Sequence, residues 1–319
     1  MVQTAGLPTQ TVVVLGTGGT IAGRAASGPD NIGYTAAQVG VEDLIAGIDA
    51  PGDVQLVGEQ VAQLDSKDMS FAAWRSLALR CAHWLAQDGV AGVVVTHGTD
   101  TLEETAFFLH SVLATTKPVV LTCAMRPATA LYPDGPQNMR DAIAVVLAPA
   151  ARGVMVVCAG RVHGAADVQK VHTYRLDAFS SGDVGALGYV EEGTVRLTRP
   201  WPADGATSGA LARLPASDAA WPRVEIVTSH SGARGTVVDA LLAARSVDGL
   251  VVAATGNGTI HSELEAALLR AQDSGIAVRR ATRCIEGRIL PRSNEAISDA
   301  GGLSPVKARI SLLLELLGR

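Results

Sequence analysis

The sequence predicts an α/β protein, with a larger N-terminal domain built on a mostly parallel sheet and a smaller C-terminal α/β domain. Three observations predict it. Strand-sized apolar runs alternate with stretches of helical periodicity, the pattern of βαβ units and of a parallel sheet covered on both faces. The chain has 319 residues, too many for one ordinary core and suited to two of unequal size. It carries 34 glycines and only 4% aromatics, which fits many tight strand-to-helix turns.

Residues 11–15 read as the first strand, and 35–48 as a helix with Thr35 as its cap. Residues 54–64 are strand-like. Residues 70–87 form a helix whose apolar positions Phe71, Trp74, Leu77, Ala78, Cys81 and Leu85 recur at the 3.6 period. Residues 92–96 read as a strand and 102–113 as a helix, with Thr101 and Glu104 at capping-box spacing. Strand 118–123, helix 137–147 and strand 153–158 come next. From about residue 193 periodicity fades, and Pro200, Pro202, Pro215 and Pro222 appear among glycines and serines. The expected division is therefore an N-terminal domain over 1–195, a linker over 196–222 and a C-terminal domain over 223–319. In the last of these, βα alternation resumes at 224–228, 237–245, 250–254, 262–271 and 277–280, and a helix at 306–317 closes the chain.

Composition excludes several classes of function. The net charge is −5, without a basic stripe or a long single-sign run, so no nucleic-acid partner is expected. No apolar stretch approaches the roughly 18 residues of a membrane span, so no membrane partner is expected. The first ten residues have neither a charged n-region nor an apolar h-region, so no secretory signal is read there. Cys81, Cys123, Cys158 and Cys284 lie far apart and read as buried free thiols of a reducing compartment, which points to the cytoplasm. No CxxC pair suggests a metal, and His163 and His172 are too isolated to form a metal site.

In a parallel sheet, the carboxyl ends of the strands share one edge, and ligands bind there. The residues just after each strand are therefore informative. The first strand leads into Gly16-Thr17-Gly18-Gly19-Thr20, and the second into Asp65-Ser66-Lys67-Asp68. The third leads into Thr96-His97-Gly98-Thr99-Asp100-Thr101, and the fourth into Ala124-Met125-Arg126-Pro127. Three successive loops offer hydroxyls and two add carboxylates, a set suited to a small zwitterion attacked by a hydroxyl nucleophile. Taken singly, each piece has a plainer reading. A Gly-rich turn after a first strand more often cradles phosphate, although this one lacks the third glycine of the dinucleotide fingerprint and the chain has no GK[ST] P-loop. Ser66, Thr99 and Asp100 are good helix caps. His97 reads as a satisfied loop histidine, and Ser229-His230-Ser231 cannot be a triad because adjacent residues do not face one another.

Together the pieces resemble the bacterial-type L-asparaginases. Thr17-Gly18-Gly19-Thr20-Ile21-Ala22-Gly23 looks like that family's first signature, and Thr96 to Thr101 followed by Glu103-Glu104-Thr105-Ala106 looks like the second. Ala124-Met125-Arg126-Pro127, Asp134-Gly135-Pro136, Leu187-Gly188-Tyr189, Gly256-Asn257-Gly258 and Pro305-Val306-Lys307-Ala308-Arg309 are similar to further landmarks in the same order. The resemblance spans nearly the whole chain. It implies a flavodoxin-like sheet and hydrolysis of L-asparagine to L-aspartate and ammonia, with minor action on glutamine and no cofactor or metal. The nucleophile would be Thr20, assisted by Tyr34 from a mobile lid over about residues 23–34. Thr99, Asp100 and Lys170 would form a second hydroxyl–carboxylate–lysine group. Gly19, Ser66, Thr99, Asp100 and Ala124 would hold the substrate. Asn257 would come from a partner subunit, making a homotetramer of dimers with shared sites.

Three departures from the family pattern accompany this. Gly164-Ala165-Ala166-Asp167 lacks the arginine common before the family's lysine, so Lys170 is assigned from Asp167-Val168-x-Lys170. Lys67 stands where a glutamine is usual, and the segment 284–299 is shorter than in well-known members. A glutamate from that segment usually supports the tyrosine across the interface, and Glu295 is the first candidate with Glu286 the second. An amidohydrolase of the same fold acting on another amide, or a non-catalytic small-ligand-binding module, are the alternative readings.

Overall fold

A computed structural model describes residues 10–50, 54–203, 205–206, 209–290 and 295–319. The readings placed on residues 1–9, and on those parts of 196–222 and 284–299 that fall at 204, 207–208 and 291–294, lie outside the described residues. The chain divides into two compact units, Met1–Leu211 and Ala212–Arg319.

The first unit opens with β1 (Thr11–Gly18), the short pair β2 (Arg24–Ala25) and β3 (Tyr34–Thr35), helix α1 (Val41–Ala46) and β4 (Gln55–Leu64). Next come α2 (Phe71–Leu85), β5 (Val90–Thr96), α3 (Leu102–Val112), β6 (Pro118–Thr122), α4 (Gly135–Leu147) and β7 (Gly153–Cys158). It ends with β8 (Arg161–Gly164), β9 (Gln169–Lys170), β10 (Phe179–Ser180), β11 (Gly188–Glu191) and β12 (Thr194–Leu197). The main sheet has eight strands in the order β12-β11-β8-β7-β6-β5-β1-β4. The run β4-β1-β5-β6-β7 is parallel throughout, whereas β8, β11 and β12 extend the sheet antiparallel beyond β7. Among the parallel strands β1 lies between the second and the third in sequence. That is the flavodoxin-like order, and its switch point falls between β1 and β5.

The inner parallel strands β1, β5 and β6 are apolar without alternation because both faces are covered: Val12 to Leu15, Val93 to Val95 and Val119 to Leu121 are all fully buried. One face packs Val12, Val14, Val94, Val120 and Met155 against α4 through Met139, Ala142 and Ile143, with Val41 of α1 beside them. Helices α2 and α3 pack against the sheet and on each other, with Trp74 stacked on Phe108 at 4.8 Å.

The helix expected over 35–48 is confined to α1. Tyr34 and Thr35 pair instead with Ala25 and Arg24 as a hairpin, and Ala37 takes a left-handed φ of 57° that no helix accommodates. The chain becomes helical only after Gly40, where the Gln60 side chain accepts the Val41 N–H at 2.9 Å. Thr101 does precede α3, but its hydroxyl donates to the Ser66 carbonyl at 2.7 Å rather than capping the helix. Ser66 is not a helix cap either. Ser70 caps α2, its hydroxyl accepting from the Ala73 N–H at 3.2 Å. The four cysteines are free thiols, but only Cys81, Cys123 and Cys158 are buried; Cys284 is exposed, so that expectation is corrected.

The second unit holds a three-stranded parallel sheet, β13 (Val224–Thr228), β14 (Gly249–Ala254) and β15 (Ala277–Thr282), with β14 central. Helices α5 (Thr236–Ala243) and α6 (Ser262–Asp273) bury Val238, Leu264 and Leu268 against Val227, Leu250, Val252 and Val278. Helix α7 (Pro305–Leu317) packs on all three strands. Among the described residues no helix is long and apolar enough to cross a membrane.

Candidate active site

Three loops leave the carboxyl ends of β1, β4 and β5 and are packed to the limit of what glycine allows. A Cβ on Gly19 would collide with the Gly98 backbone, and one on Gly98 would come within 2.5 Å of the Ser66 hydroxyl. Gly19 has a φ of 81°, a second reason for glycine there. Thr20 and Thr99 each follow one of the touching glycines, so the contact joins the two segments that carry these hydroxyls. Both are 6% exposed. The Thr17 hydroxyl ties the first loop to the third by donating to the Thr96 carbonyl at 2.8 Å.

The Thr20 hydroxyl lies 2.7 Å from the Tyr34 phenol. Tyr34 reaches it from β3, and the hairpin that carries it is anchored. Ala25 N–H donates to the Thr129 hydroxyl at 2.8 Å, Ala128 N–H to the Gly23 carbonyl at 2.9 Å, and Leu131 N–H to the Gly28 carbonyl at 3.2 Å. At its tip Asp30 accepts the N–H groups of Gly33 and Ile32, which hold its carboxyl below the usual range.

The second group forms around Lys170 on β9. Its ammonium donates to the Thr99 hydroxyl at 2.8 Å and to Asp100 Oδ1 at 2.6 Å. Its backbone N–H donates to Glu103 at 3.2 Å. The Lys170 side chain is 20% exposed and Asp100 55%, so the carboxylate still faces outward. Ser66 is buried, and its hydroxyl accepts the Asp100 N–H at 3.2 Å, leaving its own hydrogen free to donate.

Behind Thr99, His97 is fully buried. Its Nδ1 lies 2.7 Å from the Gly98 carbonyl, which can only accept, so Nδ1 carries the proton. Its Nε2 therefore accepts from the Thr105 hydroxyl at 2.9 Å, which in turn accepts from the Trp74 indole N–H at 2.8 Å. Burial pushes the imidazole down to about 4, so it is neutral at physiological pH.

Lys67 turns outward. It pairs with Asp65 at 2.8 Å and Asp68 at 3.2 Å, with 61% of its side chain exposed, and those carboxylates raise its pKa by accepting its hydrogen bonds. Asn257, Glu295 and Glu286 belong to the second unit. Asn257 and Leu290 exchange hydrogen bonds, 2.7 Å to the side-chain oxygen and 3.4 Å from its nitrogen. Glu295 pairs with Arg280, and Glu286 is exposed. Among the described residues no cluster of three or more His, Cys, Asp or Glu could hold a metal ion.

The chain matches known proteins along most of its length. The family model described as "Asparaginase, N-terminal" matches residues 11–203, and "Glutaminase/Asparaginase C-terminal domain" matches residues 223–318. The chain belongs to the asparaginase family. It is 36% identical to L-asparaginase 2 of Escherichia coli (strain K12), with 98% of this chain and 90% of that protein covered. It is 37% identical to a glutaminase-asparaginase of Pseudomonas fluorescens biotype A, with 96% and 86% covered. The crystal structure of a probable cytoplasmic L-asparaginase from Campylobacter jejuni superposes with a TM-score of 0.88 at 36% identity, covering 97% of this chain and 96% of that one.

Several site residues of this asparaginase-family chain carry no role that the sequence alone suggests. Glu103 is one; it lies in the first turn of α3, three residues after Asp100, where it accepts the Lys170 N–H. Asn138 is another, and Asp134 stands out only as part of a landmark. The touching of Gly19 and Gly98 is a contact between segments 79 residues apart, which no local pattern reports.

Proposed function

We propose that this chain is an L-asparaginase, hydrolysing L-asparagine to L-aspartate and ammonia with a lesser action on L-glutamine. The observation that carries the reading is the pairing of two activated hydroxyls, Thr20 with Tyr34 and Thr99 with Lys170, on chain segments in contact at Gly19 and Gly98. The names of the relatives support the substrate class.

A threonine hydroxyl is a poor nucleophile until a neighbour takes its proton in the transition state. In the proposed first half-reaction Thr20 Oγ1 attacks the amide carbon. Tyr34 accepts the threonine proton and passes one to the leaving nitrogen, so that ammonia departs. An acyl-threonine ester remains. In the second half, water polarised by Thr99 and Lys170 attacks the ester carbon, and Thr20 recovers its proton as L-aspartate leaves. Asp100 balances the Lys170 charge and faces the substrate α-ammonium, Ser66 donates to the α-carboxylate, and backbone N–H groups at Thr99 and Ala124 receive the oxyanion. Lys67, which would have favoured a substrate with an extra anion, is already engaged by Asp65 and Asp68.

The assembly is proposed as a homotetramer of dimers, with Asn257 and Glu295 reaching the site of a partner subunit. The cytoplasm is the proposed compartment. Four free cysteines support it, as does the similarity to a Campylobacter jejuni protein described as a probable cytoplasmic L-asparaginase. Ammonia release from millimolar L-asparagine and L-glutamine tests the reading. The wild type is expected to release ammonia faster from asparagine, and Thr20→Ala to be inactive while still folded. A fully active Thr20→Ala would show that the nucleophile is another group.

A further inference from the structure

The loop 123–126 contains Ala124, one of the proposed oxyanion contacts, and it is gripped on both sides of that residue. Upstream, the Asn138 side-chain amide donates to the Cys123 carbonyl at 2.9 Å. Downstream, the two oxygens of Asp134 each accept a backbone N–H at 2.9 Å, Oδ2 from Met125 and Oδ1 from Arg126. The two gripping side chains are joined, Asn138 donating its second hydrogen to Asp134 Oδ2 at 3.3 Å. The remaining Asn138 oxygen accepts the Ala159 N–H at 3.0 Å, so every polar position of this buried amide is filled. Asp134 stands in the N-cap position of α4, yet its side chain makes no cap hydrogen bond. Its carboxylate is spent on the neighbouring loop instead.

The same helix start lies against the segment that carries Thr20. A Cβ on Gly135 would lie 2.9 Å from Ile21 Cγ1 and 3.6 Å from the Ala124 Cβ. Ile21 follows Thr20 directly. The first turns of α4 are thus wedged between the segment holding the nucleophile and the segment holding Ala124.

We propose that Asp134 and Asn138 are positioning residues that set the Ala124 backbone against Thr20. The inference rests on the asparaginase reading, in which Ala124 meets the oxyanion. Neither side chain needs to touch substrate. A carboxylate fits here because one planar group takes two successive N–H donors at once, and an amide of the same shape cannot, since one of its two atoms is itself a donor.

The test compares Asp134→Asn and Asp134→Ala with the wild type and Thr20→Ala, measuring kcat and KM for L-asparagine and hydrogen exchange at the Met125 and Arg126 amides. Asp134→Ala is expected to lower kcat about 100-fold, the order of loss that a displacement of about 1 Å brings to a catalytic group. Asp134→Asn, which keeps one acceptor, falls between it and the wild type. KM stays where it was, because Ser66 and Asp100 still hold the ground state. Both amides exchange slowly in the wild type, and at least one becomes fast in Asp134→Asn while the rest of α4 stays protected. A purely structural role would instead move stability, KM and protection throughout the unit together, and that result overturns the inference. So does a folded Asp134→Ala with unchanged kcat. If Asp134→Ala fails to fold, Asp134→Asn with unchanged kcat and slow amides overturns it alone. A wild type that releases no ammonia from asparagine sinks the underlying reading, and the inference with it.

Discussion

His97 makes the candidate site sensitive to acid through stability rather than chemistry. Both ring nitrogens are committed, Nδ1 as donor to Gly98 and Nε2 as acceptor from Thr105, so a second proton has no place to go without breaking the Thr105 bond. The folded imidazole titrates near 4, whereas the ordinary value for histidine is 6.5. The unfolded chain therefore binds the proton more readily between those values. This contribution to stability is fully present above about pH 6.5, shrinks as pH falls, and is gone below about pH 4. It amounts to something on the order of 3 kcal/mol. Urea unfolding at pH 7, 5.5 and 4 checks it: the stability of the wild type is expected to fall steeply over this range, and that of His97→Asn, which can still donate to the Gly98 carbonyl, to fall less. Equal slopes for the two proteins would rule out His97 as the source.

At the scale of elements, two serines four residues apart separate folding from chemistry. Ser70 caps α2, while Ser66 lies buried among the site loops. Ser70→Ala is expected to cost about 1 kcal/mol of stability, read as a lower denaturant midpoint, with kcat/KM for asparagine unchanged. Ser66→Ala is expected to raise KM with a smaller change in midpoint; the reverse pattern would reassign both residues. The same elements show what a sequence discloses. The strands were legible because parallel strands buried on both faces are unbroken apolar runs, as Val93 to Val95 are. The loops at their carboxyl ends were legible because topology sends every such loop to one edge. Helix 35–48 was not, because Tyr34 and Thr35 owe their strand to pairing with residues nine and eleven positions back, and Ala37 adopts a left-handed turn that alanine does not advertise. Thr101 fitted a capping box, but a nearby carbonyl, that of Ser66, took its hydroxyl. The work of Asp134 and Asn138 was hidden for the same reason: the backbone groups their side chains hold lie 8 to 21 positions away, and propensity sees only neighbours.

For the whole molecule, the division of proposed roles between the two units has a consequence for assembly. Thr20, Tyr34, Thr99, Asp100 and Lys170 belong to the first unit, whereas Asn257 and Glu295 belong to the second. Under the proposed tetramer of dimers, each site joins the first unit of one subunit to the second unit of its partner. Closed two-fold symmetry then makes every dimer carry two equivalent sites. Thr20→Ala and Asn257→Ala, each severely impaired alone, would complement when mixed and reassembled. A mixed dimer concentrates both defects in one site and leaves the other intact. With random reassortment half the dimers are mixed, so roughly a quarter of wild-type activity is expected to return. If Asn257 instead serves the site of its own chain, every site in every dimer carries one defect, and mixing restores nothing. The experiment therefore distinguishes shared sites from self-contained ones by activity alone, and light scattering on the same samples shows whether the subunits had reassembled.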